Sequence, residues 1–213
     1  NMTLSGTLKI SSQGTLNSGT VFLNGGLLDV DKNITIGSNL VHNAGSYIEI
    51  ENGKALSYTG QGLNIGNLAL KISGGGEFDN TNNLTIDNAG SKLSISNSTK
   101  VSRILVSASA AGNGITISDS AASAGNLVDS LQLSSSLSVT SDAAWKVGSI
   151  TAGSALTFSN DKDLSIGSLS LTGSAEMSLG ASDITVSVTN PVSAGSTQII
   201  RNGGGSLNFS GGL

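Results

Sequence analysis

Cysteine is missing from all 213 residues of this chain. Its absence excludes a disulfide framework, thiolate zinc sites and a cysteine nucleophile together. Proline occurs once, at Pro191, whereas glycine occurs 29 times. A chain with many tight turns and almost no missing backbone donors is suited to long ladders of paired β-strands.

Charge and aromatic side chains are also scarce. Charged residues make up 11% of the chain and aromatic residues 3%, with a formal net charge of -4 and an isoelectric point near 4.8. Negative charge repels a phosphate backbone, and no basic stripe with interleaved aromatic residues is present, so the sequence argues against nucleic-acid binding. No apolar run approaches the ~20 residues that a membrane span needs, so we expect no membrane insertion of this segment.

The chain does contain a repeated triplet in which two apolar residues flank a central residue that is mostly polar. In the first half it recurs about every twenty residues, as Leu8-Lys9-Ile10, Leu28-Asp29-Val30, Ile48-Glu49-Ile50 and Leu68-Ala69-Leu70. A fixed period of this length is typical of solenoids, in which each coil buries its apolar face only against its neighbours. Apolar residues two positions apart share one face of a strand, so they should point inward while the central residue points outward.

The second half repeats the triplet in three parallel series, each with a step of about twenty residues. One series is Leu131-Gln132-Leu133, Ile150-Thr151-Ala152 and Leu169-Ser170-Leu171. A second is Leu137-Ser138-Val139, Leu156-Thr157-Phe158 and Met177-Ser178-Leu179. The third is Trp145-Lys146-Val147, Leu164-Ser165-Ile166 and Ile184-Thr185-Val186. Three triplets per coil predict three short strands per coil, and hence a prism with three sheets.

The predicted fold is therefore all-β, a three-sided parallel β-solenoid with about 20 residues per coil. The length gives about ten coils, which we expect to form one domain over residues 1–213. Stretches rich in Ala and Ser at 107–111 and 121–124 are predicted to be protruding loops. Neither end shows a polar cap, so we expect a segment of a longer rod, or a filament that stacks end to end through apolar rows including Leu8 and Phe209.

Three features of the sequence resemble those of a known class of proteins: triplets rich in Ser, Thr, Asn and Gly, the absence of cysteine, and glycine turns such as Gly25-Gly26. Together they resemble the passenger regions of bacterial autotransporters and filamentous-haemagglutinin-type adhesins. The resemblance implies a right-handed parallel β-helix, secreted to the bacterial cell surface, that acts in adhesion, aggregation or biofilm formation. Its implied partners are glycans or proteins of host or neighbouring cells, or further copies of the chain. The calcium-binding G-G-x-G-x-D repeat of toxin-like β-rolls is missing.

One group of charges stands out in the first-half register. Four carboxylates should lie on two adjacent rungs of one outer face, with a lysine on the rung before and another on the rung after. The carboxylates are Asp29 beside Glu49 and Asp31 beside Glu51, and the lysines are Lys9 and Lys71. Like charges on paired strands need solvent or a cation, so we consider either a calcium site or a solvated acidic patch. The acidic pairs Glu77 with Asp79 and Asp161 with Asp163 have no stacked acidic partner in this register.

Catalysis receives little support from the sequence. The single histidine, His42, has no serine or aspartate arranged near it and is expected in a turn or at a strand edge, and no G-x-S-x-G elbow is present. Lyases and tailspikes with a β-helix use clusters of carboxylates and arginines, whereas arginine occurs only at Arg103 and Arg201. We therefore expect no enzyme, with a polysaccharide-binding or polysaccharide-cleaving β-helix as the alternative.

A further alternative is an ice-binding solenoid, because threonine stands at the outward centre of several triplets. These residues are Thr35, Thr85, Thr116, Thr157 and Thr185. Serines and charged residues such as Lys9 and Lys146 interrupt that array, and small hydroxyls suit exposed strands for ordinary reasons. The sequence favours a structural, adhesive rod that acts through many weak polar contacts.

Overall fold

The structure is a computed structural model that describes residues 1–17, 19–108, 114–118, 125–160, 162–173, 175–179, 185–191, 193–194, 198–201 and 206–211. Within these residues the regular structure is β-strand throughout, with no helix. The strands are β1 (Met2–Leu4), β2 (Thr7–Ile10), β3 (Gly14–Leu16), β4 (Thr20–Asn24), β5 (Leu27–Val30), β6 (Ile34–Ile36), β7 (Asn39–Ala44), β8 (Ser46–Ile50), β9 (Ala55–Tyr58), β10 (Leu63–Asn64), β11 (Ala69–Ser73), β12 (Glu77–Asn80), β13 (Leu84–Ile86), β14 (Lys92–Ser96), β15 (Lys100–Val106), β16 (Ile115–Ser118), β17 (Val128–Leu133), β18 (Leu137–Ser141), β19 (Trp145–Ala152), β20 (Leu156–Asn160), β21 (Leu164–Leu171), β22 (Glu176–Leu179), β23 (Thr185–Val188), β24 (Ser193–Ala194), β25 (Gln198–Arg201) and β26 (Ser206–Phe209).

These strands stack in parallel into three sheets, which confirms the predicted β-solenoid. The first sheet has the order β1-β4-β7, the second runs from β2 to β25, and the third runs from β3 to β26. The solenoid has about 8 turns of about 21 residues, and its second sheet stacks ten strands.

The core is a continuous column of aliphatic side chains at the inward positions of the triplets. Leu28, Val30, Ile48 and Ile50 are at most 1% exposed, and the same alternation of buried and exposed residues continues along the stack. Burying a side chain of this size stabilises the fold by about 1.5–3 kcal/mol. The column explains why a chain without disulfides can hold its coils together.

Most of the predicted registers are confirmed. Leu8 pairs with Leu28, and Leu28 pairs with Ile48. In the second half Leu131 aligns with Ile150 and then with Leu169, Leu137 aligns with Leu156 and then with Met177, and Trp145 aligns with Leu164. The triplets therefore mark the stacking positions of neighbouring coils.

Two predicted registers are wrong, each by a small shift along the strand. Ile48 aligns with Ile72 and not with Leu68, and Leu164 aligns with Val186 and not with Ile184. The physical reason is the same in both places, because a second triplet overlaps the first. A strand has a side-chain period of two, so a shift by an even number of residues keeps the same set of side chains inside.

From β15 to β21 the first and third sides of the prism share one strand in each coil. Trp145 and Ile150, predicted to lie in separate strands, both belong to the continuous strand β19. The corner between the two sides is still present inside this strand. Gly148 and Ser149 both face outward in succession, which interrupts the alternation of inward and outward residues. The next coil stacks its own glycine, Gly167, on this corner, where a Cβ would clash with the carbonyl oxygen of Gly148.

Asn80 closes the place where the two sides merge. Its side chain is 1% exposed and lies at the end of β12, beneath the continuous strand β15. The Asn80 Nδ2 donates to the carbonyl oxygens of Asn82 at 2.8 Å and of Arg103 at 2.7 Å. The Oδ1 accepts from the backbone N–H groups of Ser102 and Arg103, both at 3.2 Å. The carboxamide therefore substitutes for a peptide group where the ladder changes from two strands to one.

Two aromatic pairs lie in the interior. Tyr58 stacks on Phe78 with ring centroids 6.1 Å apart, and Trp145 meets Phe158 edge-on at 6.2 Å. The Tyr58 hydroxyl accepts a hydrogen bond from the backbone N–H of Leu40 at 3.1 Å. Burial raises the pKa of Tyr58 above 10.0, and the hydrogen bond from Leu40 offsets only part of this increase.

Some predictions fall on residues that the structure does not describe. The loop predicted at 107–111 lies outside the described residues beyond Ala108, and the loop at 121–124 lies wholly outside them, as does Asp161. Leu8 and Phe209, which were expected at open ends, are half-buried and pack against the core. The single domain and its place in a longer rod stay predictions.

Candidate functional site

The predicted acidic patch lies on the outward face of the second sheet. Lys9, Asp29 and Glu49 stand side by side on β2, β5 and β8 in one row across three coils. Asp31 and Glu51 follow the ends of β5 and β8, where their backbone N–H groups donate to the coil before. The stacking of the four carboxylates is therefore the one expected from the sequence.

Lys9 already supplies a positive charge to this patch. Its Nζ lies 2.6 Å from Asp31 Oδ2 and 3.4 Å from Asp29 Oδ2. The hydrogen bond from Lys9 lowers the pKa of the Asp31 carboxyl, and the two aspartates raise the pKa of the Lys9 ammonium. Among the described residues no group of three or more His, Cys, Asp or Glu side chains is placed to hold a metal ion. The calcium site at Asp29, Asp31, Glu49 and Glu51 stays a prediction.

The second lysine expected beside the patch lies elsewhere. The shifted register pairs Lys71 with Tyr47, while Glu49 pairs with Ser73. The Lys71 Nζ lies 5.8 Å from the centroid of the Tyr47 ring, within the range of a cation–π contact. Tyr47 is 50% exposed, so this pair presents an aromatic face to solvent next to the acidic patch.

A groove that the sequence did not predict runs along the corner between the second and third sheets. We call it the corner groove; the turns before β6, β9, β12, β15 and β17 form its walls and floor, and it has a volume of about 520 Å³. Each of these turns contributes one or more polar or glycine positions, among them Asn33, Asn52, Gly75, Ser98 and Asn126. Because successive coils are ~4.8 Å apart, a groove over five of them is about 19 Å long.

Lys100 forms the charged centre of the corner groove. Its Nζ lies 2.8 Å from Glu77 Oε1 and 2.9 Å from Asp129 Oδ2, so one ammonium joins three successive coils. The three side chains are between 34% and 40% exposed, which leaves part of each carboxylate open to the groove. Partial burial lowers the pKa of Lys100, but the hydrogen bonds and charges of Glu77 and Asp129 outweigh burial and raise it overall.

A second hollow of about 430 Å³ adjoins the corner groove on the face of the third sheet and shares Asp129 with it. Asp79 and Arg103 line this hollow. Asp79 accepts hydrogen bonds from Ser57 at 3.4 Å and from Ser102 at 3.3 Å. The fold therefore brings together carboxylates and an arginine that lie far apart in the sequence.

Rows of hydroxyl side chains cover other outward positions of the solenoid. Thr15, Thr35 and Ser57 stack on the third sheet, and Ser94, Thr116 and Thr140 stack on the second. A third row contains Gln132, Thr151 and Ser170. Thr85, expected to face outward, is instead 9% exposed. The rows mix threonine with serine and other polar residues.

His42 is buried, with 8% exposure. It lies in β7, which is an edge strand of the first sheet, and its Nδ1 is 3.0 Å from the carbonyl oxygen of Ile65 in the following coil. A bond to a carbonyl oxygen requires a proton on Nδ1. Its Nε2 has no hydrogen-bond partner among the described residues. This histidine therefore joins two coils where the first sheet ends.

No protein-family model matches this chain, and comparison with curated proteins and with solved structures found no similar one. Among the residues that the structure describes, no helix is long and apolar enough to cross a membrane.

Proposed function

We propose that this chain is a structural and adhesive rod, secreted to the bacterial cell surface, as in autotransporter and filamentous-haemagglutinin-type adhesins. The observation that carries the proposal is the stack of parallel coils with polar rows that continue from one coil to the next. In the row of Gln132, Thr151 and Ser170, each coil adds one polar side chain at the same place. Such a surface repeats the same weak contact along its length.

Repetition turns weak contacts into strong attachment. Once one contact has formed, the next is intramolecular and has a high effective concentration, so the overall affinity can exceed that of a single contact by about 10²–10⁴. The solenoid holds its contacts at a fixed spacing of ~4.8 Å, so the contacts can act together on a partner that is also periodic. The partners proposed are glycans or proteins of host or neighbouring cells, or further copies of the chain.

A second candidate function, a polysaccharide-binding β-helix, gains support from the corner groove. The argument against it from the sequence was that arginine, which clusters with carboxylates in such proteins, occurs only at Arg103 and Arg201. The structure brings Glu77, Lys100 and Asp129 into direct contact and places Arg103 in the adjoining hollow. We propose a binding role for these residues and no catalytic step.

The proposal can be tested with microspheres coated with the purified chain. We expect coated microspheres to attach to epithelial cell layers or to one another under flow. Replacing Thr151 and Ser170 by lysine should reduce attachment several-fold, because two added charges interrupt the row. The matched control places the same two lysines at Ser5 and Ser12, which are exposed positions in turns of the first coil.

Circular dichroism should show that both variants keep the strand content of the parent chain. Microspheres that neither attach nor aggregate would contradict the adhesive role. Equal losses in the row variant and in the turn variant would show that added charge alone explains the effect, and would contradict the role of the row.

A further inference from the structure

We infer that the corner groove binds a neutral, linear oligosaccharide of about four sugar units, with its chain parallel to the solenoid axis. The inference rests on the proposed function, because it names one partner class and one site for a surface-binding rod. It is carried by the length, charge balance and rigid walls of the groove.

The dimensions favour an extended chain over a compact ligand. The groove crosses five coils and has a volume of about 520 Å³, within the range of about 300–1,000 Å³ that is usual for ligand sites. The turns of successive coils lie ~4.8 Å apart, and each of them lines the groove with at least one polar or glycine residue. A pyranose ring is similar in size to this spacing, so each sugar unit can meet the turn of one coil.

The side chains favour hydroxyl groups over charged groups. Two ammonium groups, Lys54 and Lys100, balance two carboxylates, Glu77 and Asp129, so the lining has no net charge to attract a polyanion or a polycation. Carboxylates accept hydrogen bonds, ammonium groups donate them, and the amide of Asn126 does both. A sugar hydroxyl also donates and accepts, and a pair of neighbouring hydroxyls can therefore use this mixture fully.

The walls are held in place before any ligand arrives. Asn97 and Ser98 have φ values of 57° and 58°, and within the described residues they are the only residues other than glycine with positive φ. Buried Thr99 supports this turn, because its Oγ1 donates to Ser96 O at 2.7 Å and accepts from Gly75 N–H at 2.9 Å. Uncommon backbone conformations of this kind persist only where the surroundings fix them, and they concentrate at binding sites. A rigid wall reduces the conformational entropy that the protein must lose when a ligand binds.

Cellotetraose, β-1,4-mannotetraose and chitotetraose can serve as neutral probes, with tetragalacturonate as the anionic comparison. In an NMR titration of the labelled chain, we expect at least one neutral tetrasaccharide to shift the amide signals of Gly53, Gly75 and Asn126. The anionic tetrasaccharide should bind more weakly than that neutral one.

A leucine at Gly125 is designed to fill the groove. A Cβ at this position meets no atom within 4 Å, and Gly125 does not need a positive φ, so the substitution should not disturb the fold. The matched control is Gly6→Leu, since Gly6 also opens to free space and lies outside the groove. We expect Gly125→Leu to weaken tetrasaccharide binding by about tenfold or more, and Gly6→Leu to leave it unchanged. Asn126→Ala, which removes a polar contact and adds no bulk, should also weaken binding.

Three results would overturn the inference: no binding of any of the three neutral probes, equal binding to the parent chain and to Gly125→Leu with native circular dichroism, or tighter binding of tetragalacturonate. The microsphere assay separates this outcome from failure of the proposed function. Attachment that persists and depends on Thr151 and Ser170, together with a negative titration, would reject the groove and retain the adhesive rod. A negative titration together with no attachment would reject both.

Discussion

Replacing Asn80 by alanine should destabilise the solenoid where its first and third sides merge. The substitution removes all four hydrogen bonds of a carboxamide that is 1% exposed. It leaves the N–H groups of Ser102 and Arg103 and the carbonyl oxygens of Asn82 and Arg103 without this partner. The change acts through backbone groups of the neighbouring coil and not through loss of apolar contact.

The magnitude follows from the number of bonds. A hydrogen bond in a folded protein contributes a net stability of about 0.5–1.5 kcal/mol, so four of them contribute about 2–6 kcal/mol. Arg103 is an exposed residue, so water can replace part of what its backbone loses. We therefore expect Asn80→Ala to lower the free energy of unfolding by about 3 kcal/mol. Asn80→Asp should cost at least as much, because a carboxylate would face two carbonyl oxygens in place of the amide donor.

Urea unfolding followed by circular dichroism and by the fluorescence of Trp145 measures the effect. Because separate coils of a repeat protein can unfold independently, amide hydrogen exchange at Ser102 and Arg103 should be measured as well. The matched control is Asn64→Ala, since Asn64 is exposed in β10 and should change stability by less than about 0.5 kcal/mol. Unchanged exchange rates at both amides in Asn80→Ala, or native stability in Asn80→Asp, would refute the reasoning.

Two further predictions concern the acidic patch and the buried tyrosine. Millimolar calcium should raise the melting temperature of the parent chain, and should raise it further in Lys9→Met, which lacks the ammonium group that lies in the patch. It should not raise the melting temperature of the double variant Asp29→Asn, Glu49→Gln. Equal melting temperatures with calcium and with a chelator in Lys9→Met would show that the patch is only solvated. In Tyr47→Phe the only tyrosine is Tyr58, whose raised pKa stabilises the fold fully below pH 10.0 and progressively less as the pH rises above that value. Its phenolate absorbance should therefore appear at higher pH in buffer than in urea, and coincident titration curves would contradict burial of the hydroxyl.

The fold could be predicted from the sequence because the apolar triplets show which alternate side chains are buried. Burial of these side chains is the largest favourable contribution to the stability of the fold. The limit of that signal is visible at Ile72 and Val186, which stack where Leu68 and Ile184 were expected. Overlapping triplets satisfy the same alternation, and the choice between them depends on turn lengths, which apolar residues do not encode. The merging of two sides at Asn80 was missed for a similar reason, since a carboxamide that replaces a peptide group resembles any other polar residue of a turn.

The acidic patch and the corner groove differ in how they follow from the sequence. Asp29 and Glu49 stack as predicted, because they lie at the centres of triplets whose register was correct. Lys100 was missed because its partners Glu77 and Asp129 lie one coil before and one coil after it, in a region where no triplets had been aligned from coil to coil. The signal available in the sequence was an acidic residue and a lysine separated by the length of one local coil, which is 23 residues between Glu77 and Lys100.

The regular stacking of coils also sets how the chain can find its fold. Each strand pairs with a strand about 21 residues away in a chain of 213, so the typical sequence separation of contacts is about one tenth of the length. That ratio falls in the range of about 0.07–0.12 that characterises helical bundles and lies below that of ordinary β-sandwiches. Adding a coil to a growing stack closes a loop of the same size each time, so the entropic cost of each step does not increase with the length already folded. Folding can therefore begin wherever two coils first pair and extend outward coil by coil, which makes this topology as favourable for a long chain as for a short one.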